Sequence, residues 1–360
     1  MTEKRQVPDK EAIEKFSEKM WGHIGGAMTM SLCSLGERLG LYHALASLGL
    51  ATSHDLAERT GLDERWLREW LYQQACAGVI AHADSERFYL EPEAIEVLAN
   101  DQSMFFVGGS LVTVTELTRN APKLQECFKT GIGLPYDALG HDCAVGLERM
   151  GGRFRRQRLI PELLPLLDGV IEKLEGGALV ADVGCGVGTA PLVLAKAFPQ
   201  SEFHGYDTSL HAIAEARRRT ESAGLENLFW HDPFEDPLPQ DNRFDFVTAF
   251  DVVHDTTNPA ALIDAVYNSI KPDGTWLITD IAGKSSFEEN LNEHSLANIL
   301  YGFSVLICMS SGLSEPGGAG MGTVGFHEKV ASQMTSDAGF TRFRKLEFDD
   351  VFNNHYEVRP

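Results

Sequence analysis

The segment LVADVGCGVGTA, residues 179–190, constrains the fold more than any other part of the chain. A short apolar run leads into three glycines within five positions, Gly184, Gly186 and Gly188. A strand, a glycine-rich turn and a helix commonly hold a nucleotide-like ligand, because glycine allows close approach of the backbone. The segment therefore predicts a ligand-binding α/β domain.

Strand and helix patterns alternate after this loop. Helical patterns at 189–198, 209–223 and 259–270 separate the apolar runs GALVADVG, EFHGYD, NLFWHD, FDFVTAFDVV and GTWLITDI. This alternation predicts a Rossmann-like, mostly parallel sheet covered by helices. After a helix at 326–338, FTRFRKLEF and HYEVRP are close in sequence and predict an antiparallel hairpin at the sheet edge. Residues 284–325 interrupt the pattern with a predicted helix at about 287–309 and a glycine-rich loop.

The first hundred residues have a different pattern. Helices are predicted at 10–22, 27–47 and 63–77, and another begins at Thr52 or Ser53 and ends at Gly61. Strands at 79–82 and 87–90 complete the order of a mainly helical winged-helix domain. Winged helices bind DNA or serve as dimerisation and substrate-covering modules. The third helix, DERWLREWLYQQ, carries two arginines against three acids, which disfavours DNA binding.

Composition limits the classes of molecule that the chain is expected to bind. The formal net charge is −21, and an acidic surface repels phosphate backbones and anionic membranes. The six cysteines are scattered without a CxxC pair, so we expect no metal site and no disulfide framework. The polar N-terminal segment lacks the apolar core of a signal peptide, which predicts a cytoplasmic protein. The basic run GGRFRRQR at 151–158 is interpreted as a solvated helix face, with a phosphate site as the alternative.

The residues around the glycine loop indicate which ligand it holds. The spacing is G-C-G-V-G instead of G-x-G-x-x-G, and Asp182 stands two positions before Gly184. A carboxylate there disfavours pyrophosphate and favours a ligand with positive charge, such as S-adenosylmethionine with its ammonium and sulfonium groups. Asp207 ends the second strand and is expected to accept hydrogen bonds from ribose hydroxyls, and Thr208 beside it is a further candidate for cofactor binding.

A third acid follows the next strand, in HDPFEDPLP. Asp232 is a candidate acceptor for the adenine amino group, with Pro233 and Phe234 near the ring. A capping or turn role for Asp232 is the alternative.

These motifs together resemble the class I S-adenosylmethionine-dependent methyltransferases. DVGCGVG, GYD, HDPF, FDFVTAFDVVHD and IKPDGTWLITD occur in that family's order, over about residues 160–360. FDVVHD, GLSEPGGAGMGTVG and FNNHYEVR also resemble a bacterial subfamily in which a winged helix precedes the methyltransferase. The layout is similar to small-molecule O-methyltransferases, whose winged helices dimerise and cover the active site. The resemblance implies three parts: 1–100 for dimerisation, 101–170 as helical linker and substrate lid, and 171–360 as the S-adenosylmethionine-binding catalytic domain.

Ligands of open α/β sheets bind beyond the carboxyl ends of the strands, where FDVVHDTTNP leaves the fourth strand. We expect Phe250 and Asp251 beside the cofactor, and His254 and Asp255 facing the methyl acceptor. His254 is the candidate base or substrate orienter, because an imidazole accepts a proton near neutral pH. Asp255 is expected to cap a helix or to support His254.

Other polar and aromatic residues are candidates for the acceptor pocket. These candidates are Tyr136 and His141 in LPYDALGHD, Asn298, Tyr301 and Met309 in the predicted helix 287–309, and His355 in FNNHYEV. A purely structural role is the alternative for each of them. The loop GLSEPGGAGMG is glycine-rich enough to gate entry.

The sequence thus predicts a homodimeric methyltransferase that uses S-adenosylmethionine, yields S-adenosylhomocysteine and needs no metal. The acceptor is a small molecule with an oxygen or sulfur nucleophile, since no basic cluster indicates a phosphorylated acceptor or nucleic acid. The alternatives are an S-adenosylmethionine-sensing regulator that binds DNA, a cofactor-binding protein without catalysis and, more distantly, an NAD-linked oxidoreductase.

Overall fold

The computed structural model describes residues 9–360, apart from the side chains at positions 139, 141 and 142. The described residues form two compact units, 9–115 and 116–360. Within the described residues, none of the helices has the length and apolar character required to cross a membrane.

The first unit begins with a long helix, and the elements of a winged helix follow it along the chain. Its elements, in chain order, are α1 (Lys10–Arg38), α2 (Leu41–Leu48), α3 (Ser53–Thr60), α4 (Glu64–Cys76), β1 (Ala81–His82), β2 (Phe88–Tyr89) and α5 (Pro92–Leu98). β1 and β2 pair as an antiparallel hairpin. Helix α6 (Gly108–Asn120) contains the sequence boundary between the units.

Local signals explain most of these boundaries. Thr52 caps α3 and forms a capping box with Asp55, and Gly61 ends the helix in the left-handed conformation. The predicted break near residues 22–27 is wrong, because α1 continues as one 29-residue helix. The break lies at Gly40, where φ is +68° and favours glycine.

The arginines of α4 are neutralised within their own helix. Arg65 lies 2.5 Å from Glu69, and Arg68 lies 3.2 Å from Glu64. Positive charge held in this way is less available to a phosphate backbone, in agreement with the interpretation of this helix from its sequence.

The second unit is built on a seven-stranded sheet. Its strands are β3 (Leu179–Val183), β4 (Glu202–Tyr206), β5 (Leu228–His231), β6 (Phe244–Phe250), β7 (Ile270–Ile281), β8 (Arg342–Lys345) and β9 (Asn353–Arg359). Their order is β5-β4-β3-β6-β7-β9-β8. The first five pair in parallel, and β9 pairs antiparallel with both β7 and β8. The mostly parallel sheet with an antiparallel edge is confirmed.

Helices surround this sheet. They are α7 (Leu124–Thr130), α8 (His141–Gln157), α9 (Val170–Gly176), α10 (Thr189–Ala197), α11 (Leu210–Ala223), α12 (Pro259–Ser269), α13 (Phe287–Glu293), α14 (Ala297–Phe303), α15 (Met309–Gly312) and α16 (Glu328–Asp337). Alternate residues of the strands contribute to two separate buried clusters, one containing Val180 and Phe246 and the other Ala181 and Val247. Apolar cores therefore cover both faces and leave the carboxyl ends of the parallel strands for function.

The predicted helix at 287–309 is interrupted. α13 ends at Glu293, α14 begins at Ala297, and a turn of π-helix at Ser304–Cys308 leads into α15. The side chain of His294 explains the interruption, because its Nδ1 accepts from the amide of Leu296 at 3.2 Å and satisfies a donor outside a helix.

Candidate active site

The glycine loop after β3 is shaped by its neighbours. Gly184, Gly186 and Gly188 have φ angles of +69°, +54° and +81°, which favour glycine. A Cβ atom at Gly184 would lie 2.3 Å from Val252, and one at Gly188 would lie 2.1 Å from Trp230. A Cβ at Gly186 would meet no atom within 4 Å. Side chains fix the two ends of the loop, whereas its middle leaves space for a ligand.

Asp207 lies immediately after β4, next to this loop. Its Oδ2 accepts from the amide of Gly186 at 2.7 Å, and its Oδ1 accepts from the amide of Ser209 at 2.8 Å. Burial raises the pKa of Asp207, although the two amides favour the ionised form. Each carboxylate oxygen retains a lone pair for a ribose hydroxyl. Thr208 is exposed beside it.

Asp182 lies within β3 and is 4% exposed. Thr248 on the neighbouring strand donates its hydroxyl to Oδ1 at 2.5 Å. Burial raises the pKa of Asp182 to about 7, against the opposing effects of Thr248 and Arg155. The carboxyl group thus carries a full negative charge only above neutral pH, which weakens the electrostatic argument based on this residue.

Asp232 follows β5 and forms a turn. Its Oδ1 accepts from the amide of Phe234 at 2.9 Å. Pro233 is half-buried, and the ring of Phe234 is 78% exposed. This arrangement supplies an apolar ring and a carboxylate at the carboxyl end of β5.

Phe250 ends β6, and Asp251 follows it directly. Asp251 has a φ of +56°, which is uncommon for a residue with a Cβ atom. Its amide donates to the carbonyl of Thr279 at 2.9 Å, and its carboxylate accepts from Asn353. Burial and the neighbouring Asp280 raise the pKa of Asp251 to about 6.

The basic run on α8 reaches this region. Arg155 lies with its guanidinium 5.7 Å from the centre of the Phe250 ring and is 16% exposed at its side chain. It pairs with Glu148 at 3.3 Å. Arg153 is 7% exposed. The interpretation of a solvated helix face is therefore wrong for Arg153 and Arg155.

His254 lies in a tight turn after β6 and is 3% exposed. Its Nδ1 is 2.6 Å from Oδ1 of Asp280, the next-to-last residue of β7, which pairs with β6. Burial alone would lower the pKa of His254, but the Asp280 carboxylate raises it well above its ordinary value. Asp280 fixes the imidazole through Nδ1 and leaves Nε2 for another partner.

Two further side chains lie beside His254. Possible ligand atoms of His254, Asp255 and Cys308 lie within 4.8 Å of one another. Thr323 donates its hydroxyl to the Cys308 Sγ at 2.8 Å. Burial raises the pKa of Asp255 to about 6, partly offset by His254. An imidazole, a carboxyl group and a thiol therefore meet in one buried cluster.

Tyr136 is brought toward this cluster by its loop. The amide of Gly133 donates to the carbonyl of Leu313 at 2.8 Å, and the amide of Leu134 donates to the hydroxyl of Ser310 at 2.8 Å. The half-buried Tyr136 packs against the apolar cluster that includes Cys308. Burial raises its pKa, and the Asp255 carboxylate adds to this shift.

The remaining candidates are placed differently. Asn298 is exposed on α14. Tyr301 packs edge-on against Phe287, with ring centres 5.9 Å apart. Met309 lies beside Gly322 in the glycine-rich loop, because a Cβ atom at Gly322 would be 3.5 Å from the Met309 sulfur. The side chain of His141 lies outside the described part of the chain.

His355 occupies a separate buried position in β9. Its Nδ1 is 2.9 Å from the hydroxyl of Thr279, and its ring stacks on Phe154 with centres 5.3 Å apart. Its Nε2 lies 3.4 Å from Asp350. These contacts support packing of the sheet edge.

The glycine-rich loop at 313–322 is anchored. The amide of Ala319 donates to the carbonyl of Thr257 at 2.9 Å, and the amide of Gly320 donates to Gly312 at 3.2 Å. The first bond joins the loop to the turn that follows His254, and the second joins it to the end of α15.

Sequence reasoning missed Asp280, Cys308, Arg155 and Asn353. Asp280 carries a usable signal, because it ends a predicted strand and the same rule singled out Asp207. Cys308 carries none, since its approach to His254 depends on the π-helical turn and on the path of the 313–322 loop.

Comparison with known proteins identifies a domain in each part of the chain. Residues 174–313 match a methyltransferase domain family, and residues 26–99 match the Rv2258c-like winged HTH domain. The chain therefore carries a winged helix-turn-helix domain followed in sequence by a methyltransferase domain.

Individual relatives cover parts of the sequence. The ubiquinone biosynthesis O-methyltransferase of Actinobacillus pleuropneumoniae is 28% identical over 122 residues, covering 32% of this chain and 51% of that protein. The chain spans between 21% and 51% of the length of the curated relatives it matches.

Solved structures match over nearly the whole chain. A Nostoc punctiforme protein assigned as an O-methyltransferase has a TM-score of 0.72 at 15% identity, covering 98% of this chain and 99% of that one. Human N-acetylserotonin methyltransferase, solved with S-adenosylmethionine, has a TM-score of 0.67 at 15% identity, covering 99% of both chains. At this identity the likeness shows the fold.

Proposed function

We propose that the chain is an S-adenosylmethionine-dependent methyltransferase that acts on a small molecule with an oxygen or sulfur nucleophile. One observation carries this proposal. The glycine loop, Asp207 and the His254–Asp280 pair stand at the carboxyl ends of β3, β4, β6 and β7, within a domain of the methyltransferase family.

The cofactor side supports S-adenosylmethionine. Gly186 leaves open space, Asp207 offers lone pairs to ribose, and Asp232 with Phe234 offers a carboxylate and an exposed ring to adenine. Phe250 ends β6, which lies on the other side of β3 from β4, and Asp251 follows it. The same cofactor is bound in the human relative, whose fold this chain shares.

The acceptor side supports an in-line displacement. The acceptor oxygen or sulfur attacks the methyl carbon while the bond from that carbon to the sulfonium sulfur breaks and S-adenosylhomocysteine leaves. A hydroxyl or thiol also loses its proton, whereas a thioether does not. His254 and Asp255 face the acceptor, with His254 as base or orienter, and the burial of His254 limits access of water.

Methyl transfer is tested directly by measuring S-adenosylhomocysteine formation with panels of thiols, thioethers, phenols and alcohols. We expect formation that requires an acceptor and adds one methyl group to it by mass. Binding of S-adenosylmethionine without transfer to any acceptor would contradict the proposal and favour a cofactor-binding protein without catalysis.

We also propose a homodimer formed through the winged-helix unit. Helix α1 exposes large apolar side chains, among them Phe16 at 64% and Trp21 at 68%. Large exposed apolar groups on one helix are typical of a surface that another chain covers. Light scattering on Trp21→Glu should report a monomer where the wild type is a dimer, and a monomeric wild type would contradict the proposal.

A further inference from the structure

We propose that His254, Asp255 and Cys308 bind a zinc ion and leave its fourth position to the methyl acceptor. The binding site itself stands on the geometry of these three side chains. Its role in methyl transfer rests on the proposed function.

The distances suit a small cation. The three ligand atoms lie within 4.8 Å of one another. Zinc binds nitrogen and oxygen at about 2.0–2.2 Å and sulfur at about 2.3 Å, so tetrahedral ligand atoms are separated by roughly 3.3–3.6 Å. Side-chain rotations that move each ligand atom by about 1 Å would close the difference.

His254 is already oriented as a metal ligand. Its Nδ1 faces Oδ1 of Asp280 at 2.6 Å, and the same oxygen accepts from the amide of Ile281 at 2.8 Å. A carboxylate that holds one nitrogen of an imidazole is the usual partner of a histidine whose other nitrogen binds a metal. Asp280 therefore presents Nε2 to the cluster.

Charge also favours a cation here. Asp251, Asp255 and Asp280 are close enough to act electrostatically on one another or on His254. Within the described part of the chain, the buried oxygens Asp255 Oδ1 and Asp280 Oδ2 accept no hydrogen bond. Unpartnered buried carboxylate oxygens are costly, and a divalent cation would offset that cost.

The set of donor atoms selects zinc. One imidazole, one carboxylate and one thiolate combine nitrogen, oxygen and sulfur, which is typical of zinc rather than magnesium or calcium. Three protein ligands leave one position open, as in catalytic zinc sites. A thiol or hydroxyl acceptor that replaced a hydroxide in this position would give its proton to that hydroxide, which would leave as water. His254 would then orient the acceptor through the metal.

The experiment measures metal binding apart from activity. Protein stripped with a chelator is titrated with zinc by calorimetry, and cobalt(II) is added separately to detect the near-ultraviolet absorption of a thiolate–cobalt bond. The variants are Cys308→Ser, Asp255→Asn and Asp280→Asn. The control is Cys143→Ser, because Cys143 is equally buried and belongs to the same apolar cluster as Cys308.

We expect one zinc ion per chain in the wild type and in Cys143→Ser, with the cobalt–thiolate absorption in both. Cys308→Ser should lose the absorption, and Asp280→Asn should weaken zinc binding about 10–100-fold because it only orients His254. Equal zinc affinity in all variants, or no binding by the wild type, would overturn the site.

Calorimetry with S-adenosylmethionine on the same samples keeps the two proposals separate. Methyl transfer by zinc-free protein would overturn the role of zinc in the reaction and leave the proposed function intact. Zinc binding by a protein that neither binds S-adenosylmethionine nor transfers methyl groups would support the zinc site and overturn the proposed function.

Discussion

The two sides of the site are assembled from the chain in different ways. On the cofactor side, Gly184, Gly186, Gly188 and Asp207 lie within one strand–helix–strand unit, and Asp207 binds the loop amide directly. On the acceptor side, His254 meets Asp280 from another strand and Cys308 from an insertion. Short-range sequence patterns specify the first side, whereas tertiary packing specifies the second.

Because of this difference, the residues proposed to bind the cofactor and those proposed to act on the methyl acceptor have different structural requirements. The cofactor side depends on backbone conformation, which only a few residue types permit. The acceptor side depends on side chains supplied by separate segments, each of which can change without disturbing the glycine loop. Relatives with one cofactor can therefore differ in their acceptors.

His254→Gln best separates the effects of the acceptor side from those of the cofactor side. The glutamine keeps an amide group that can donate to Asp280. We expect kcat to fall by about 10²–10⁴-fold with unchanged affinity for S-adenosylmethionine, because the proposed function assigns His254 to the acceptor. Turnover and calorimetry measure the two quantities. The matched variant His355→Gln should retain more activity, and equal losses in both variants would contradict the assignment.

Within the cofactor side, Gly188→Ala should lower the free energy of unfolding by about 2–5 kcal/mol. The new Cβ would combine a φ of +81° with a separation of 2.1 Å from Trp230. Gly186→Ala meets no atom within 4 Å and should cost only about 1–2 kcal/mol. Urea unfolding gives both values, and a larger loss for Gly186→Ala would show that Trp230 does not constrain the loop.

A pH series tests the buried carboxyl of the cofactor side. The pKa of Asp182 rises from 3.8 to about 7 in the native state, so the unfolded chain loses this proton first and stability falls as pH rises between these values. Asp182→Asn has no proton to lose. Its free energy of unfolding relative to the wild type should increase by about 2–4 kcal/mol from pH 4 to pH 7. A constant difference would refute the raised pKa.

The smallest effect is expected at Thr323 on the acceptor side. Thr323→Val removes the hydroxyl that donates to Cys308 but keeps the shape of the side chain, and should cost about 1 kcal/mol of stability. Thr335→Val, which removes a donor to the carbonyl of Ala331, is the control for loss of a buried hydroxyl. An acceptor-dependent change in KM is expected for Thr323→Val alone.

The limits of sequence reasoning follow the same division. The glycine loop, the parallel strands and the antiparallel edge were predictable, because each depends on a local pattern. The continuity of α1 through Gly25 and Gly26 was not, since a long helix tolerates glycines that no turn requires. Cys308 and Arg155 were not predictable as site residues, because their positions depend on how distant segments pack.

The most direct test of the account is calorimetric titration of the wild type and Asp207→Ala with S-adenosylmethionine and, separately, with NAD. Asp207 binds the amide of Gly186 and is expected to hold the ribose. The account predicts that the wild type binds S-adenosylmethionine in preference to NAD and that Asp207→Ala abolishes this binding. Preference for NAD, or unchanged affinity in Asp207→Ala, would contradict it.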